Sequence, residues 1–261
     1  MGSIRTSVAL AVASVILCAS GTALATPIYT SWGSLPGATF GGTGIPNTSV
    51  AKTEVFVNGS TTVTLALTAH ARYSNPTVTD NGAGDYYAGP GSNCGIATDP
   101  VGCPSATQGA LWNVGYYISV SGTDPNFNDF GDFTFTVYYD FDPGAGTAFG
   151  SLGRINVNNM LIANSINPAT TTLAQGSENM MFSYLATPVP FVVTPPTYGA
   201  FNPNSLGEYN FYIGFTANNL PAFSGAVGVD VNVVPVPGAV WLLGSGLGLL
   251  GWVRRRASQV A

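Results

Sequence analysis

The chain has 261 residues, and its composition excludes several classes of protein. Only 7% of the residues are charged, against roughly 25% in an average soluble domain, whereas 46% are hydrophobic. That apolar share excludes wholesale disorder, and the shortage of Glu, Lys and Arg excludes a coiled coil. The formal net charge of −5 argues against a nucleic-acid partner, because a surface that neutralises phosphates needs clustered Lys and Arg.

Residues 1–25 have the three features of a secretory signal peptide. Arg5 supplies a positive charge, residues 8–17 form an apolar run, and Ala23, Leu24 and Ala25 make a small-x-small cleavage site. The sequence therefore predicts an N-terminal signal helix, cleavage between Ala25 and Thr26, and export through the secretion machinery.

The exported body, residues 26–232, alternates apolar and polar side chains with a period of two, which is typical of half-buried antiparallel strands. The runs that show it are 63–69, 112–120, 133–141, 209–215 and 227–233. Weaker strand candidates are 54–57, 154–162, 180–185 and 190–193. Eight or nine strands without a useful amphipathic helix predict an all-β fold, an antiparallel β-sandwich of jelly-roll-like type.

Residues 74–109 are rich in Gly, Asn and Pro and are predicted to form one long loop. The loop holds Cys94 and Cys103, the two cysteines of the exported body. Export places both in an oxidising compartment, so we predict a local disulfide that pins the loop.

The segment that begins at Asp124 offers oxygen ligands at alternate positions: Asp124, Asn126, Asn128 and the adjacent Asp129. Calcium prefers six to eight oxygen ligands, so this segment is a candidate calcium site. It departs from an EF-hand loop, which has Gly at the sixth position and Glu at the twelfth. Asx turns before a strand explain the same residues equally well, and no other cofactor is expected.

Outward-facing tyrosines are candidates for contact with sugar rings. Alternation places Tyr117, Tyr138 and Tyr212 on the faces opposite the predicted core. Exposed tyrosines stack on sugars or pack against another copy of the chain. The high β-propensity of tyrosine accounts for their presence as well.

The sequence contains no recognisable catalytic pattern. A Ser-His-Asp triad would need His70, the one histidine, which alternation makes a solvent-facing strand residue. Glu54, Glu178, Glu208 and nine Asp could supply the carboxylate pair of a glycosidase, yet no spacing pairs them. The sequence therefore predicts that the protein is not an enzyme.

The exported body is acidic. Lys52, Arg72 and Arg154 are its only basic residues against all twelve acidic ones, which gives a net charge of −9 between residues 26 and 234. Such a surface suits an extracellular protein and repels anionic lipid and DNA.

Residues 233–261 combine an extended Pro-x-Pro, an apolar segment and a basic end. Residues 233–253 carry no charge and have Pro235, Val236 and Pro237 near their start, and Arg254, Arg255 and Arg256 follow at once. The stretch is long enough for a transmembrane helix. The arginines keep that end cytoplasmic, which leaves the body outside, in agreement with the signal peptide.

This tail resembles the PEP-CTERM sorting signal in its VPxP form, with Val236 where the name-giving signal has Glu. The resemblance covers about residues 234–256 and implies nothing about the body. It implies brief residence in the inner membrane of a Gram-negative bacterium, processing near the Pro-x-Pro by an exosortase-type membrane transpeptidase, and release to the cell surface or the extracellular polymer matrix. A plain C-terminal membrane anchor is the alternative.

Together these features predict a sorted surface or matrix protein with a structural or adhesive role in exopolysaccharide or biofilm. Two alternatives stay open: a carbohydrate-binding module with a calcium-stiffened loop, and a secreted glycosidase.

Overall fold

The computed structural model describes residues 27–57, 59–73, 76–94 and 107–235. Five predicted features lie outside these residues: the signal peptide, its cleavage site at Ala25 and Thr26, Cys103, the tail residues Val236 and Pro237, and the arginines 254–256. Within the described ranges, no helix is long and apolar enough to cross a membrane.

The described residues form fourteen strands and one α-helix. The strands are β1 (Ser31–Gly33), β2 (Val50–Val57), β3 (Thr61–Ala71), β4 (Thr79–Asp80), β5 (Asp85–Ala88), β6 (Ser92–Asn93), β7 (Gly109–Ala110), β8 (Trp112–Gly122), β9 (Phe133–Tyr139), β10 (Gly153–Asn156), β11 (Leu173–Glu178), β12 (Val193–Thr194), β13 (Gly207–Ala217) and β14 (Leu220–Val233). The helix is α1 (Val157–Ala163). Short 3-10 helices lie at Phe130–Asp132, Phe149–Ser151, Pro168–Thr170 and Ser183–Leu185.

Most of these strands belong to two sheets. The five-stranded sheet has the order β1-β2-β3-β8-β11, and all its neighbours are antiparallel. The seven-stranded sheet has the order β12-β10-β9-β13-β14-β5-β4, with one parallel pair between β14 and β5. Strands β6 and β7 form a separate two-stranded ribbon. The predicted all-β class with antiparallel sheets is confirmed, and the arrangement is consistent with a β-sandwich.

The core lies between the two sheets, where β14 packs against β2 and β3. Alternate residues of each long strand point inward, as Phe133, Phe135 and Val137 do from β9. Trp112 of β8 contacts the rings of three aromatic residues that extend from the opposite sheet and its loops: Phe201, Tyr209 and Phe211. Because the inner faces are used in this way, the polar residues between them on each strand lie on the outer faces.

Two of the weaker strand predictions are wrong in part. Only the first residues of 154–162 are a strand, and α1 follows because the Asn156 side chain accepts a hydrogen bond from the backbone N–H of Asn159 at 2.9 Å and so caps a helix. Val157 and Leu161, four residues apart, are the buried side of that helix. Residues 180–185 form a turn and a 3-10 helix instead of a strand.

The remaining short predictions fare differently. Residues 54–57 are the second half of β2, whereas only Val193 of the 190–193 candidate lies in a strand, β12.

The predicted loop 74–109 is wrong for its described part, which contains β4, β5 and β6 and the start of β7. Its short strands escape a periodicity test because two to four residues are too few to show alternation.

Candidate functional site

The outer face of the five-stranded sheet is partly covered by residues 35–47, here called the cover. Leu35, Ala38, Phe40 and Ile45 of the cover form a small apolar cluster with the sheet, and Phe40 is fully buried in it. The side-chain oxygen of Gln175 on β11 accepts hydrogen bonds from the backbone N–H groups of Thr39 and Phe40, both at 2.9 Å. These contacts hold the cover in place at one edge of the sheet.

Beside the cover lies a groove of about 650 Å³. Its lining comprises residues 42–46 of the cover, Ser49, residues 68–73, Thr77, Val78, Asp80, Tyr86, Asn113, Ser177 and Phe182. The size falls within the range of roughly 300–1,000 Å³ that is common for ligand sites. The lining combines aromatic rings with one guanidinium, one carboxylate, one imidazole and several neutral polar groups.

Three side chains on neighbouring strands form a polar row within this groove: His70 of β3, Asn113 of β8 and Ser177 of β11. His70 and Asn113 are directly opposite each other in the β3–β8 pairing. The Nε2 atom of His70 lies 2.9 Å from Ser177 Oγ, and Asn113 Nδ2 donates to the same Oγ at 3.0 Å. The Nδ1 atom of His70 lies 3.0 Å from the backbone oxygen of Ala71.

Asn179 fixes the orientation of this row from beneath. Its side-chain oxygen accepts from the backbone N–H groups of Ala110 (2.9 Å) and Met181 (3.1 Å). Its Nδ2 is therefore the atom that faces Asn113, and it donates to Asn113 Oδ1 at 2.6 Å. Because Asn113 Oδ1 accepts this bond from Asn179, the atom of the Asn113 amide that faces Ser177 is Nδ2. Asn179 is fully buried, so water does not compete for these bonds.

Burial favours the neutral form of the His70 imidazole. Only 5% of the residue is exposed, and burial lowers its pKa from the ordinary value, against a smaller raising effect of the Ala71 carbonyl. The prediction that His70 faces solvent is wrong. Alternation places it on the outer face, as expected, but neighbouring groups cover most of its surface.

Arg72 and Tyr73 form one rim of the groove. The guanidinium of Arg72 lies 5.3 Å from the centre of the Tyr73 ring and donates to the backbone oxygens of Asn93 (3.4 Å) and Thr107 (3.2 Å). Tyr73 is 54% exposed and adopts the left-handed backbone conformation, with φ of 63°. The pair offers an aromatic face and a positive charge to the groove.

The three tyrosines predicted to contact sugars lie in different surroundings. Tyr117 is half-buried against the cover, and Tyr138 is half-buried with its ring 4.5 Å from that of Phe149. Tyr212 is only 4% exposed, so its prediction as a solvent-facing residue is wrong. It is on the outer face of the seven-stranded sheet, where Phe149 packs against it at 5.9 Å between ring centres.

The predicted calcium ligands serve as caps and turns. Asp124 Oδ1 accepts from the backbone N–H of Asn126 at 2.9 Å, and Asp129 Oδ1 accepts from that of Gly131 at 2.8 Å to cap the 3-10 helix. Asn128 donates its backbone N–H to Asp132 Oδ2 at 2.9 Å. Within the described part of the chain, no group of three or more His, Cys, Asp or Glu is arranged to hold a metal ion. Calcium binding at Asp124, Asn126, Asn128 and Asp129 stays a prediction.

The structure describes only the edges of the other predicted sites. Cys94 is half-buried at the end of its described segment, and its pairing with Cys103 stays a prediction. Pro235 is exposed two residues after β14 ends at Val233. The rest of the sorting motif lies outside the described residues.

A second polar cluster, on the outer face of the seven-stranded sheet, contains two buried carboxylates. Asn210 Nδ2 donates to Asp230 Oδ1 at 2.7 Å, and the Asn210 backbone N–H donates to Asp140 Oδ2 at 3.3 Å. Burial raises the pKa of Asp140 to about 6 and that of Asp230 to about 7. Both residues are at most 2% exposed, so a polysaccharide chain cannot reach them for glycosidase chemistry.

Sequence reasoning missed the Ser177–His70 pair because the two residues are 107 positions apart. Alternation places His70 and Asn113 on outer faces, but the sequence predicts no strand at Leu173–Glu178, the strand that carries Ser177. Only the β3–β8–β11 order and register bring them together.

Comparison of the chain with protein-family models, curated proteins and solved structures gave no match. Its candidate site therefore has to be judged by its own geometry.

The two buried carboxyls predict a stability that falls as the pH rises. Their raised pKa values let the folded protein keep protons that the unfolded chain loses above about pH 4, so stability is lost between about pH 4 and pH 7. Asp230→Asn removes one of these carboxyls from the neighbourhood of Asp85, Glu208 and Asp140. Between pH 5 and pH 8 the free energy of unfolding of this variant should therefore fall less than that of the wild type, by on the order of 2 kcal/mol. This difference corresponds to roughly 5 °C in Tm.

Thermal unfolding at several pH values measures this effect. His70 has the opposite effect on stability, because its lowered pKa destabilises the folded protein at pH values below the ordinary pKa of histidine. Both proteins contain His70, so the comparison between them is unaffected. Glu54→Gln, the same carboxyl-to-amide change at an exposed residue of β2, is the matched control and should keep the wild-type pH dependence. Parallel Tm–pH curves for the wild type and Asp230→Asn would contradict the assignment.

Proposed function

We propose that the protein is exported, sorted by an exosortase-type transpeptidase, and retained at the cell surface or in the extracellular matrix, where its groove binds polysaccharide. Its role there is structural or adhesive, and binding requires no catalysis by the body. The groove beside the cover is the observation that carries the binding part of this proposal. The two chain ends carry the sorting part.

The groove suits a glycan because it pairs ring faces with polar groups. Sugar rings have apolar faces that pack on aromatic side chains and hydroxyls that hydrogen-bond to polar ones. Tyr73 offers more than half of its surface at the rim, and Phe182 lines the same groove. Asn113 and Asp80 supply an amide and a carboxylate within it.

Arg72 gives the groove a preference for acidic glycans. Among the described residues, its two hydrogen bonds are made to neutral backbone carbonyls, which do not neutralise its positive charge. A guanidinium pairs well with the carboxylate of a uronic acid or a similar acidic sugar. The body has only three basic residues, so Arg72 makes the groove one of the few places on it that attract an anion.

The position of Pro235 supports the sorting part of the proposal. The body ends with the buried residue Val233 of β14, and Val234 and Pro235 are exposed directly after it. Pro235 has no backbone N–H with which to continue the strand, and it favours an extended backbone at Val234 before it. This junction is accessible to a processing enzyme without unfolding of the body.

Other sequence-based readings receive less support. A jelly-roll-like β-sandwich remains our proposal for the finer fold type, although β2–β3, β9–β10 and β13–β14 pair as consecutive neighbours within one sheet. In the calcium-stiffened loop, both candidate carboxylates, Asp124 and Asp129, already accept hydrogen bonds from backbone N–H groups. The glycosidase alternative lacks an accessible carboxylate pair in the Asp140–Asp230 cluster.

Sorting can be tested by changing the tail. Pro235→Ala combined with Pro237→Ala, or deletion of residues 254–261, should leave unprocessed protein in the inner membrane, because the processing segment or the cytoplasmic charges are lost. Fractionation and intact mass of the cell-associated and released forms measure the outcome. Unchanged release of processed protein would contradict the proposal.

Glycan binding can be tested at Tyr73. Tyr73→Ala removes the exposed ring at the rim and should weaken retention of the protein by acidic exopolysaccharide in affinity electrophoresis by roughly 5- to 100-fold, as expected for the loss of about 1–3 kcal/mol of stacking. Tyr87→Ala is the matched control, since Tyr87 is 37% exposed and is not part of the groove lining. Equal retention of both variants would exclude this rim as the binding site.

A further inference from the structure

We propose that Ser177 and His70 form a nucleophile–base pair that hydrolyses acyl esters in the groove, with O-acyl groups on a polysaccharide as the substrate class. This inference rests on the proposed glycan-binding groove for its substrate. It goes beyond the binding role and replaces the sequence-based expectation of a body without catalysis.

The hydrogen-bond directions in the polar row give Ser177 the arrangement of an activated nucleophile. The Ala71 carbonyl can only accept, so Nδ1 of the neutral His70 ring carries the hydrogen and donates it there, which leaves Nε2 unprotonated. Ser177 Oγ therefore donates its proton to His70 Nε2, and it accepts a hydrogen bond from Asn113 Nδ2. A base that is itself oriented by a third group is the general form of such sites.

The two members of the pair have the exposures that the chemistry needs. Ser177 is half-buried and lines the groove, so its Oγ can be approached by a substrate. His70 is 5% exposed and stays neutral through burial, which keeps it in the form that accepts a proton. The Ala71 carbonyl takes the place that a carboxylate has in a triad, and it fixes the tautomer without adding charge.

The reaction balances with water as the only co-reactant. Ser177 Oγ attacks the ester carbonyl carbon while its proton moves to His70 Nε2, and a C–O bond forms. Collapse of the tetrahedral intermediate breaks the bond to the sugar oxygen, which leaves with the proton from His70. Water then attacks the acyl-serine, gives its proton to His70 and releases the carboxylic acid, with the proton returned to Ser177.

Asn113 and Asn179 have separate parts in this scheme. Asn113 Nδ2 lies 3.0 Å from Ser177 Oγ, so it is a hydrogen-bond donor directly beside the oxygen that attacks the ester. Asn179 does not contact the substrate. It is a positioning residue, because its bond to Asn113 Oδ1 directs Asn113 Nδ2 toward the reacting atoms.

The test uses the full chain, produced with its signal peptide in a Gram-negative host. A biotinylated fluorophosphonate should form an adduct on the peptide that contains Ser177, and the protein should hydrolyse p-nitrophenyl acetate. Ser177→Ala should abolish the adduct, and it and His70→Gln should each lower hydrolysis by about 100-fold or more. Ser177→Cys keeps the size and hydrogen bonding of the residue, and the thiol at this position should react with iodoacetamide.

Ser224→Ala, the same substitution at a half-buried strand residue of the other sheet, is the matched control and should keep both activities. Labelling of wild-type Ser177 no faster than Ser224 would overturn the inference, and this readout does not depend on whether any variant folds. Hydrolysis by folded Ser177→Ala at the wild-type rate would also overturn it. Polysaccharide retention by the wild type separates the two proposals: Ser177-dependent hydrolysis without retention would overturn glycan binding alone.

Discussion

The burial of alternate apolar side chains between two sheets is the constraint on which the rest of the structure depends. Each long strand gives one face to the core, so Leu65, Leu67 and Ala69 of β3 point inward and Thr68 and His70 point outward. A shift of one residue in any strand pairing would exchange these faces. The antiparallel register that satisfies the core therefore also aligns His70, Asn113 and Ser177 across three strands.

Only 7% of the residues are charged, and neutral hydrogen bonds organise the described parts of the outer faces. The cover is attached through Gln175, the polar row is oriented through Asn179, and the two buried carboxyls share Asn210. Side-chain amides suit this purpose, because each one donates and accepts at fixed positions and carries no charge to desolvate. The abundance of Asn in the sequence thus has a structural use that composition alone does not reveal.

Sequence reasoning could predict what depends on local pattern. The long strands from β3 to β14 follow from alternation over seven or more residues, and the apolar side of each is the side that the core buries. It could not predict α1, where one Asn cap outweighs a run of β-branched and apolar residues. It also could not predict which outward residues are covered, as Tyr212 and His70 are, or that Ser177 meets a histidine 107 residues away. Those properties depend on strand order and on loops that fold over the sheets.

The protonation pattern of His70 tests the central claim most directly, because the groove is poised for nucleophilic chemistry only if Nε2 accepts the Ser177 proton. Nitrogen-15 NMR of the one histidine in the chain measures this without a substrate. The account predicts a neutral ring at pH 7.5 with hydrogen on Nδ1 and none on Nε2. A ring with hydrogen on Nε2, or an imidazolium at that pH, would contradict it.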